Sequence, residues 1–445
     1  MNESVTISDV VVNGWCTGCG TCAGCCPADA LSMEPTADGR YVSQLDENRC
    51  TACGLCRKVC PPANENFRPL NEFVFGGLPD NVLLGNHRGC FLAHSADADI
   101  RFRATSGGCV TTLLLGLLRS RQIDGAVVAR LAADDPLRAE SFIARTEGEI
   151  LSAIGSKYLP VPVNTMLSQI GSESGRFAYV GLPCHIHGLR RAQMAIPALK
   201  EKIPFLFGLV CSRTMSHHGW RLVLDKMGVN PGDIRELKFR GDGWPGGLTV
   251  TMCDGSLKTM PMLGSWFSEI FGGFYFSQPY CALCDDVLAD YADISFADAY
   301  LPEVIKADKV GTSIVIGRTE AGRALIEQMR SDEQLEASDL SANRVLASQG
   351  FVTLYKKRNL PARVRILSWL GRSIPITLKG RTEGFLRPTI WDYLTAMVPC
   401  LNIRISRNRF TRGMLRRMPL GLLSFLRKSY KWLLMRQSKS LLEDR

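Results

Sequence analysis

Cys16-x2-Cys19-x2-Cys22-x3-Cys26-Pro27 recurs as Cys50-x2-Cys53-x2-Cys56-x3-Cys60-Pro61, each cysteine 34 residues after its counterpart. Three closely spaced thiolates on one loop can cap three corners of an iron–sulfur cubane, and the fourth ligand must then come from elsewhere in the chain. The small residues between ligands, Gly18, Gly20, Ala52 and Gly54, let backbone N–H groups turn toward sulfur, which favours the reduced state. Zinc knuckles pair two Cys-x2-Cys units around one ion; they do not run three cysteines in a row into Cys-Pro. Cys25 sits beside Cys26 and outside the pattern.

Four more cysteines lie where chemistry is plausible. Cys184 ends Gly181-Leu-Pro-Cys184, Cys211 closes an apolar run, and Cys281-x2-Cys284 precedes Ala292-Asp-Ile-Ser295. Two strand-end cysteines and one Cys-x2-Cys pair can build a four-thiolate site for a cluster or for zinc, or can stand as separate buried thiols. Cys90, Cys109, Cys253 and Cys400 are isolated and read as core residues. His185 and His187 flank this region as candidate proton carriers or structural histidines.

Thr105-Ser106-Gly107-Gly108 opens a helical stretch, and a hydroxyl with two glycines at a helix N-terminus is a ready anion site. Gly155-Ser156-Lys157-Tyr158 adds a cation and an aromatic ring. Gly241-Asp-Gly243-Trp-Pro-Gly246 has the spacing G-x-G-x-x-G, but Pro245 and the β-prone residues after it make it a turn rather than a dinucleotide loop.

The elements that must position these groups alternate. Apolar periodicity predicts helices over 107–121, 184–194 and 216–227, and strands over 125–129, 177–181 and 203–211, with a hairpin over 234–252. Strands separated by helices predict an α/β body. The chain has 445 residues and a net charge of +10, but the excess is local. Residues 1–355 hold 32 Lys/Arg and 39 Asp/Glu; residues 356–445 hold 21 and 4. The body is therefore mildly acidic, which argues against a nucleic-acid partner, and no nucleic-acid-reading motif occurs. In the segment 415–434, Leu, Phe and Trp interleave with Lys and Arg, as in a helix lying on an anionic membrane surface or docking on an acidic protein, with disorder as the remaining alternative. The N-terminus lacks a secretory pattern and no run is long enough to span a bilayer. Seventeen cysteines then point to metal or redox chemistry in a reducing cytoplasm rather than to disulfides, with the tail adding a peripheral contact at the inner membrane face.

The N-terminal runs resemble the bacterial two-cluster ferredoxins, in which the cysteine before proline ligates the other cluster. That resemblance implies one 4Fe-4S cluster on Cys16, Cys19, Cys22 and Cys60 and a second on Cys50, Cys53, Cys56 and Cys26. The body motifs, taken in order and closing with Gly311-Thr-Ser-Ile-Val, resemble the family of coenzyme F420 hydrogenase and dehydrogenase beta subunits. The family resemblance implies an iron–sulfur flavoprotein: FAD contacted by Thr105, Ser106, Gly107, Gly108, Ser156, Lys157 and Tyr158, and a third 4Fe-4S cluster on Cys184, Cys211, Cys281 and Cys284. His185 and Phe296-Ala297 depart from the family pattern. The expected architecture is an α+β two-cluster ferredoxin-like module (1–70), an α/β flavin-binding body in two parts (85–170 and 171–350) and a basic, partly helical C-terminal tail (356–445). The expected activity is that of an oxidoreductase moving electrons between clusters, FAD and a small-molecule or deazaflavin-like substrate, served by a redox partner protein or reduced ferredoxin. The alternatives are an electron-transfer subunit without its own substrate, or a flavin-free scaffold. No catalytic residue is assigned.

Overall fold

In the computed structural model, which describes residues 6–64, 67–375, 378 and 387–443, the N-terminal repeat folds around an antiparallel ribbon of β1 (Leu31–Pro35) and β2 (Tyr41–Leu45). The sequence repeat is also a backbone repeat. Gly20 and Gly54 both take left-handed backbone, φ 84° and 72°, as N-caps of the short helices Thr21–Gly24 and Leu55–Val59. A side chain is strained there, so glycine sets the turn that throws the next cysteine inward.

The body is an eight-stranded mixed sheet. Its strands are β3 (Gly89–Ser95), β4 (Gly125–Leu131), β5 (Ala139–Ala144), β6 (Phe177–Gly181), β7 (Phe205–Leu209), β11 (Ile294–Asp298), β12 (Ser313–Gly317) and β13 (Leu335–Asp339). A separate three-stranded antiparallel sheet contains β8 (Ile234–Lys238), β9 (Gly247–Met252) and β10 (Leu257–Pro261). The large sheet has the order β13-β3-β12-β11-β7-β6-β4-β5. β4, β6, β7 and β11 run parallel, and the other neighbours are antiparallel. β12 is buried at every position, because Val315 packs into the core on one face while Ile314 and Ile316 pack on the other.

The three predicted body strands are β4, β6 and β7, side by side and parallel, and the predicted hairpin is β8 and β9. The Gly241–Gly246 segment is a turn between them, with no helix opening on it. Helix Cys109–Arg119 packs on one face of the sheet and helix Pro183–Ala195 on the other. The carboxyl ends of parallel strands are where α/β sheets bind ligands.

The segment expected as a basic, partly helical tail from 356 is continuous with the helix before it and packs into the protein. Helix Ala342–Thr353 runs directly into a π-helical turn, Leu354–Arg358, and then into helix Leu360–Trp369. Leu360, Ile366, Leu378, Ala396, Ile403, Tyr430 and Leu434 share one core with Ile7, Val10, Trp15 and Leu31. Trp15 Nε1 donates to the Ser373 carbonyl at 3.0 Å, and Arg372 donates to the Gly14 carbonyl at 3.1 Å. The basic segment therefore clasps the N-terminal module: its apolar residues have a core to bury in, worth about 1.5–3 kcal/mol for each large side chain. Residues 376–377, 379–386 and 444–445 of the expected tail, and 1–5 and 65–66 of the expected module, lie outside the described residues. Among the described residues no helix is long and apolar enough to cross a membrane.

Candidate functional site

The thiols of the repeat gather in the crossed arrangement. Burial pushes the Cys60 thiol well up, and the neighbours that push it further are Cys22, Cys19 and Cys16. Cys56 is pushed up by burial and by Cys53, Cys26 and Cys50. Each cysteine that precedes a proline thus sits with the triplet of the other half. Backbone donors face two of the sulfurs: the Ala52 N–H reaches Cys50 Sγ at 3.4 Å and the Ala30 N–H reaches Cys26 Sγ at 3.3 Å, while the Cys22 thiol donates to Ser43 Oγ at 3.4 Å. Ala52 holds φ 55° to make that turn. Cys50 and Cys53 are exposed, whereas Cys19, Cys22 and Cys60 are buried. One set therefore faces solvent and the other faces the body.

Asn164, completely buried, ties the inner set to the body. Its side-chain amide donates to Thr21 Oγ1 and to the His185 carbonyl, both at 2.8 Å, and its oxygen accepts from Tyr179 O–H at 2.9 Å. Its backbone N–H donates to the Cys19 carbonyl at 2.9 Å. Just beyond the ends of the adjacent strands β6 and β7, Cys184 and Cys211 come together with Cys281 and Cys284, which flank the end of the short 3₁₀ turn Pro279–Ala282. Burial raises the Cys184 thiol well above its ordinary value and takes Cys211 up to about 12, and all four thiols act on one another. Cys184 also feels Cys19. All four line a single cavity with Thr17, Pro160 and Lys356. Buried thiolates need a compensating cation, which is what iron supplies.

Among the described residues no group of three or more His, Cys, Asp or Glu side chains could hold a single metal ion as it stands. Thiolates at the corners of a cubane stand farther apart than ligands around one ion.

His185 is satisfied where it is. Its Nδ1 accepts from the Leu182 N–H at 3.1 Å, the ring also bonds the Val161 backbone, and burial lowers its pKa to about 4. The ring is neutral and holds the start of helix Pro183–Ala195, which carries Cys184. His187 makes tilted ring contacts with Phe67 and Tyr291, which also contact each other. Cys90, Cys109 and Cys400 are buried as expected of core residues, but Cys253 is exposed, because it begins the turn after β9. Lys356, which the sequence did not single out, places Nζ 3.1 Å from Cys284 Sγ. Nothing short of the fold brings a lysine from a basic run next to that thiol.

The two loops expected at FAD also meet. The Ser156 N–H donates to Thr105 Oγ1 at 2.7 Å. Ser106 Oγ donates to the Thr312 carbonyl, and the Gly107 N–H donates to Ser313 Oγ, each at 2.9 Å. The expected hydroxyl cap is not made: Gly108, with φ 78°, is the N-cap of helix Cys109–Arg119, and no side chain caps it. Lys157 is engaged by its own turn. Its ammonium donates to the carbonyls of Ala153, Ile154 and Gly155, closing helix Glu147–Ser152, and burial lowers its pKa to about 7. Tyr158 packs against Phe239, Phe267 and Phe271. A buried ion pair stands beside these loops: Arg240 grips Asp298 at 2.8 and 3.0 Å, and Trp244 Nε1 adds a bond at 3.1 Å. Asp298 is the last residue of β11, within reach of Ser106. The sequence singled out neither Asp298 nor Arg240.

Residues 90–168 match the N-terminal part, and residues 174–343 the C-terminal part, of the family described as coenzyme F420 hydrogenase/dehydrogenase, beta subunit. The chain belongs to this family. Residues 15–64 match the 4Fe-4S dicluster domain, so the N-terminal module is an iron–sulfur module. The chain is 29% identical over 254 residues to the coenzyme F420 hydrogenase subunit beta of Methanothermobacter thermautotrophicus, covering 56% of this chain and 83% of that one. It is 26% identical over 268 residues to the coenzyme F420 hydrogenase subunit beta of Methanosarcina barkeri, covering 59% and 85%. A chain from the F420-reducing NiFe hydrogenase complex of Methanosarcina barkeri shares the fold at a TM-score of 0.52 and 24% identity, covering 66% of this chain and 98% of that chain.

Proposed function

We propose that this member of the family is the electron-carrying component of an oxidoreductase, holding three 4Fe-4S clusters and FAD and working between a redox partner protein and a small molecule of the deazaflavin class. The observation that supports this best is continuity. Exposed Cys50 and Cys53 belong to the outer thiol set, the inner set contains Cys19, and Cys19 and Cys184 lie close enough to act on one another electrostatically. Clusters supply one-electron exchange and a flavin supplies exchange of a hydride or an electron pair.

The chain's own residues do the positioning. Cys16, Cys19, Cys22 and Cys60 would hold the inner cluster, Cys26, Cys50, Cys53 and Cys56 the outer one, and Cys184, Cys211, Cys281 and Cys284 the third. Asn164 fixes the inner loop against the body, and His185 orients the helix start at Cys184. For FAD, the uncapped first turn of helix Cys109–Arg119 fits a phosphate, because its N–H groups have no side-chain partner and the dipole favours an anion. Thr105, Ser106, Gly107, Gly108 and Ser156 are the residues assigned to that end, with Tyr158 at the aromatic wall. Lys157 contributes through the backbone turn it braces. The relatives' names carry coenzyme F420 and not FAD, so the family resemblance and this donor set are the support for FAD, and coenzyme F420 is the substrate to try first. Phe425 and Trp432, exposed beside Lys428 and Lys431, are proposed to face an anionic partner surface.

Anaerobic purification tests the assignment. About twelve irons per chain and released FAD are expected. Cys281→Ser should lower iron to about eight, and an unchanged iron content would remove the third site. A protein with full iron and no flavin absorbance would leave the clusters standing and defeat the FAD assignment.

A further inference from the structure

Three buried cations and one half-buried one crowd the Cys281–Cys284 turn, and three of the four lie beyond the family match that ends at residue 343. Lys356, 2% exposed, donates to Cys284 Sγ at 3.1 Å and to the Asp286 carbonyl at 2.9 Å. Arg363, completely buried, donates to the carbonyls of Ala282 at 2.5 Å and Cys284 at 3.1 Å. Arg372 donates to the Pro279 carbonyl at 2.9 Å and acts on Cys281. Arg213, two residues after Cys211, lies over the rings of Phe271 and Phe274 at 4.3 and 3.8 Å. Its Nε and one terminal nitrogen are buried without a hydrogen-bond partner.

The acids nearby do not cancel this charge. Asp290 is taken by Lys357 at 2.6 Å and Arg318 at 3.4 Å. Asp286 turns its oxygens to the Asp290 N–H, so among the described residues the carboxylates of Asp285 and Asp286 are outnumbered by the four cations. Isolated buried cations are costly unless an anion faces them. A four-thiolate cluster carries net negative charge that grows by one unit on reduction, and this is the anion the arrangement fits.

We propose that Lys356, supported by Arg213, Arg363 and Arg372, raises the one-electron reduction potential of a 4Fe-4S cluster on Cys184, Cys211, Cys281 and Cys284 above the potentials of the two N-terminal clusters. The basic C-terminal segment thereby acts on the redox centre itself. This rests on the third-cluster reading, and the experiment separates the two.

The test is a potentiometric titration with dithionite and mediators, followed by electron paramagnetic resonance, with iron counted in each protein. The third cluster is identified as the signal missing from Cys281→Ser. In the parent protein its midpoint should be the highest of the three. At that midpoint, Lys356→Met should show a reduced-to-oxidised ratio about tenfold lower, equivalent to about 59 mV for one electron. Lys356→Arg should stay within about threefold, and Arg372→Gln should shift in the same direction by less. These outcomes support the inference, and Arg372→Gln decides it if Lys356→Met loses iron. A third cluster that is present but has the lowest midpoint, or variants with full iron and unmoved midpoints, overturns the inference and spares the cluster. About eight irons in the parent overturns the cluster reading and the inference together.

Discussion

Replacing Asn164 with leucine tests the joint between the iron–sulfur module and the body. The side chains are close in size, so the change removes hydrogen bonds without leaving a large cavity. Thr21 Oγ1 and the His185 carbonyl lose their amide donor, while Tyr179 O–H keeps its 2.8 Å bond to the Val163 carbonyl. Thr21 retains a 3.2 Å contact with Cys19 Sγ, so its loss falls at the low end. Each orphaned buried group costs about 1–3 kcal/mol, giving about 3 kcal/mol for the pair. At about 1.4 kcal/mol per factor of ten, opening of the joint becomes roughly a hundredfold more frequent. The backbone provides the reporter: the N–H of residue 164 donates to the Cys19 carbonyl at 2.9 Å and survives the substitution. Hydrogen exchange of the peptide containing residue 164, read by mass spectrometry, should accelerate by about that factor, while β6 serves as an internal reference. Exchange within about threefold of the parent would refute the view that this amide locks the inner cluster loop to the body.

Three further outcomes follow from the geometry. Arg240→Met takes the cation from the Asp298 carboxylate and leaves it neutral donors, Trp244 and Ser106 among them, and should cost about 3 kcal/mol in urea melting; a loss below about 1 kcal/mol would mean that the pair does not hold the β8–β9 turn to the sheet. Gly107→Ala brings a methyl group to 2.5 Å from the Ala93 carbonyl oxygen and 2.9 Å from the Ser313 nitrogen, both backbone atoms, so a destabilisation of about 1–3 kcal/mol is expected in thermal melts. Lys157 titrates near 7 in the fold against an ordinary 10.5, so the unfolded chain binds the extra proton between those values and stability rises with pH across that window, with no slope from this group below 7. The parent should therefore gain stability over Lys157→Met from pH 7 to 9 in urea titrations; a constant difference would contradict the burial of that ammonium.

Much of this protein is visible in local patterns. The two cysteine runs fix eight thiols by spacing alone, since a cubane needs three ligands from one tight loop, and small residues at 18, 20, 52 and 54 mark where the backbone must turn. The strands at 125–131, 177–181 and 205–209 are short and apolar enough to read directly, because a strand covered on both faces has no polar side to confuse the pattern. The neighbouring parallel order of β4, β6 and β7 then follows from the helices between them.

What the sequence alone decided is therefore the cysteine repeat and the α/β alternation, both of which depend on contacts within a few residues or on a simple period. Tertiary structure alone decided the rest. Lys356 and Arg363 read as members of a solvated basic run, yet the π-helical turn at Leu354–Arg358 carries them inward to the Cys281–Cys284 loop. Lys157 is an FAD contact by family resemblance, yet three carbonyls four or fewer residues away compete for its ammonium and hold it. Arg240 and Asp298, 58 residues apart, form an ion pair that no spacing rule announces. A long basic side chain can be satisfied by water, a carboxylate, a carbonyl or a thiol. Which of these it meets depends on which distant element the fold brings within reach, and that choice is made only when the core closes.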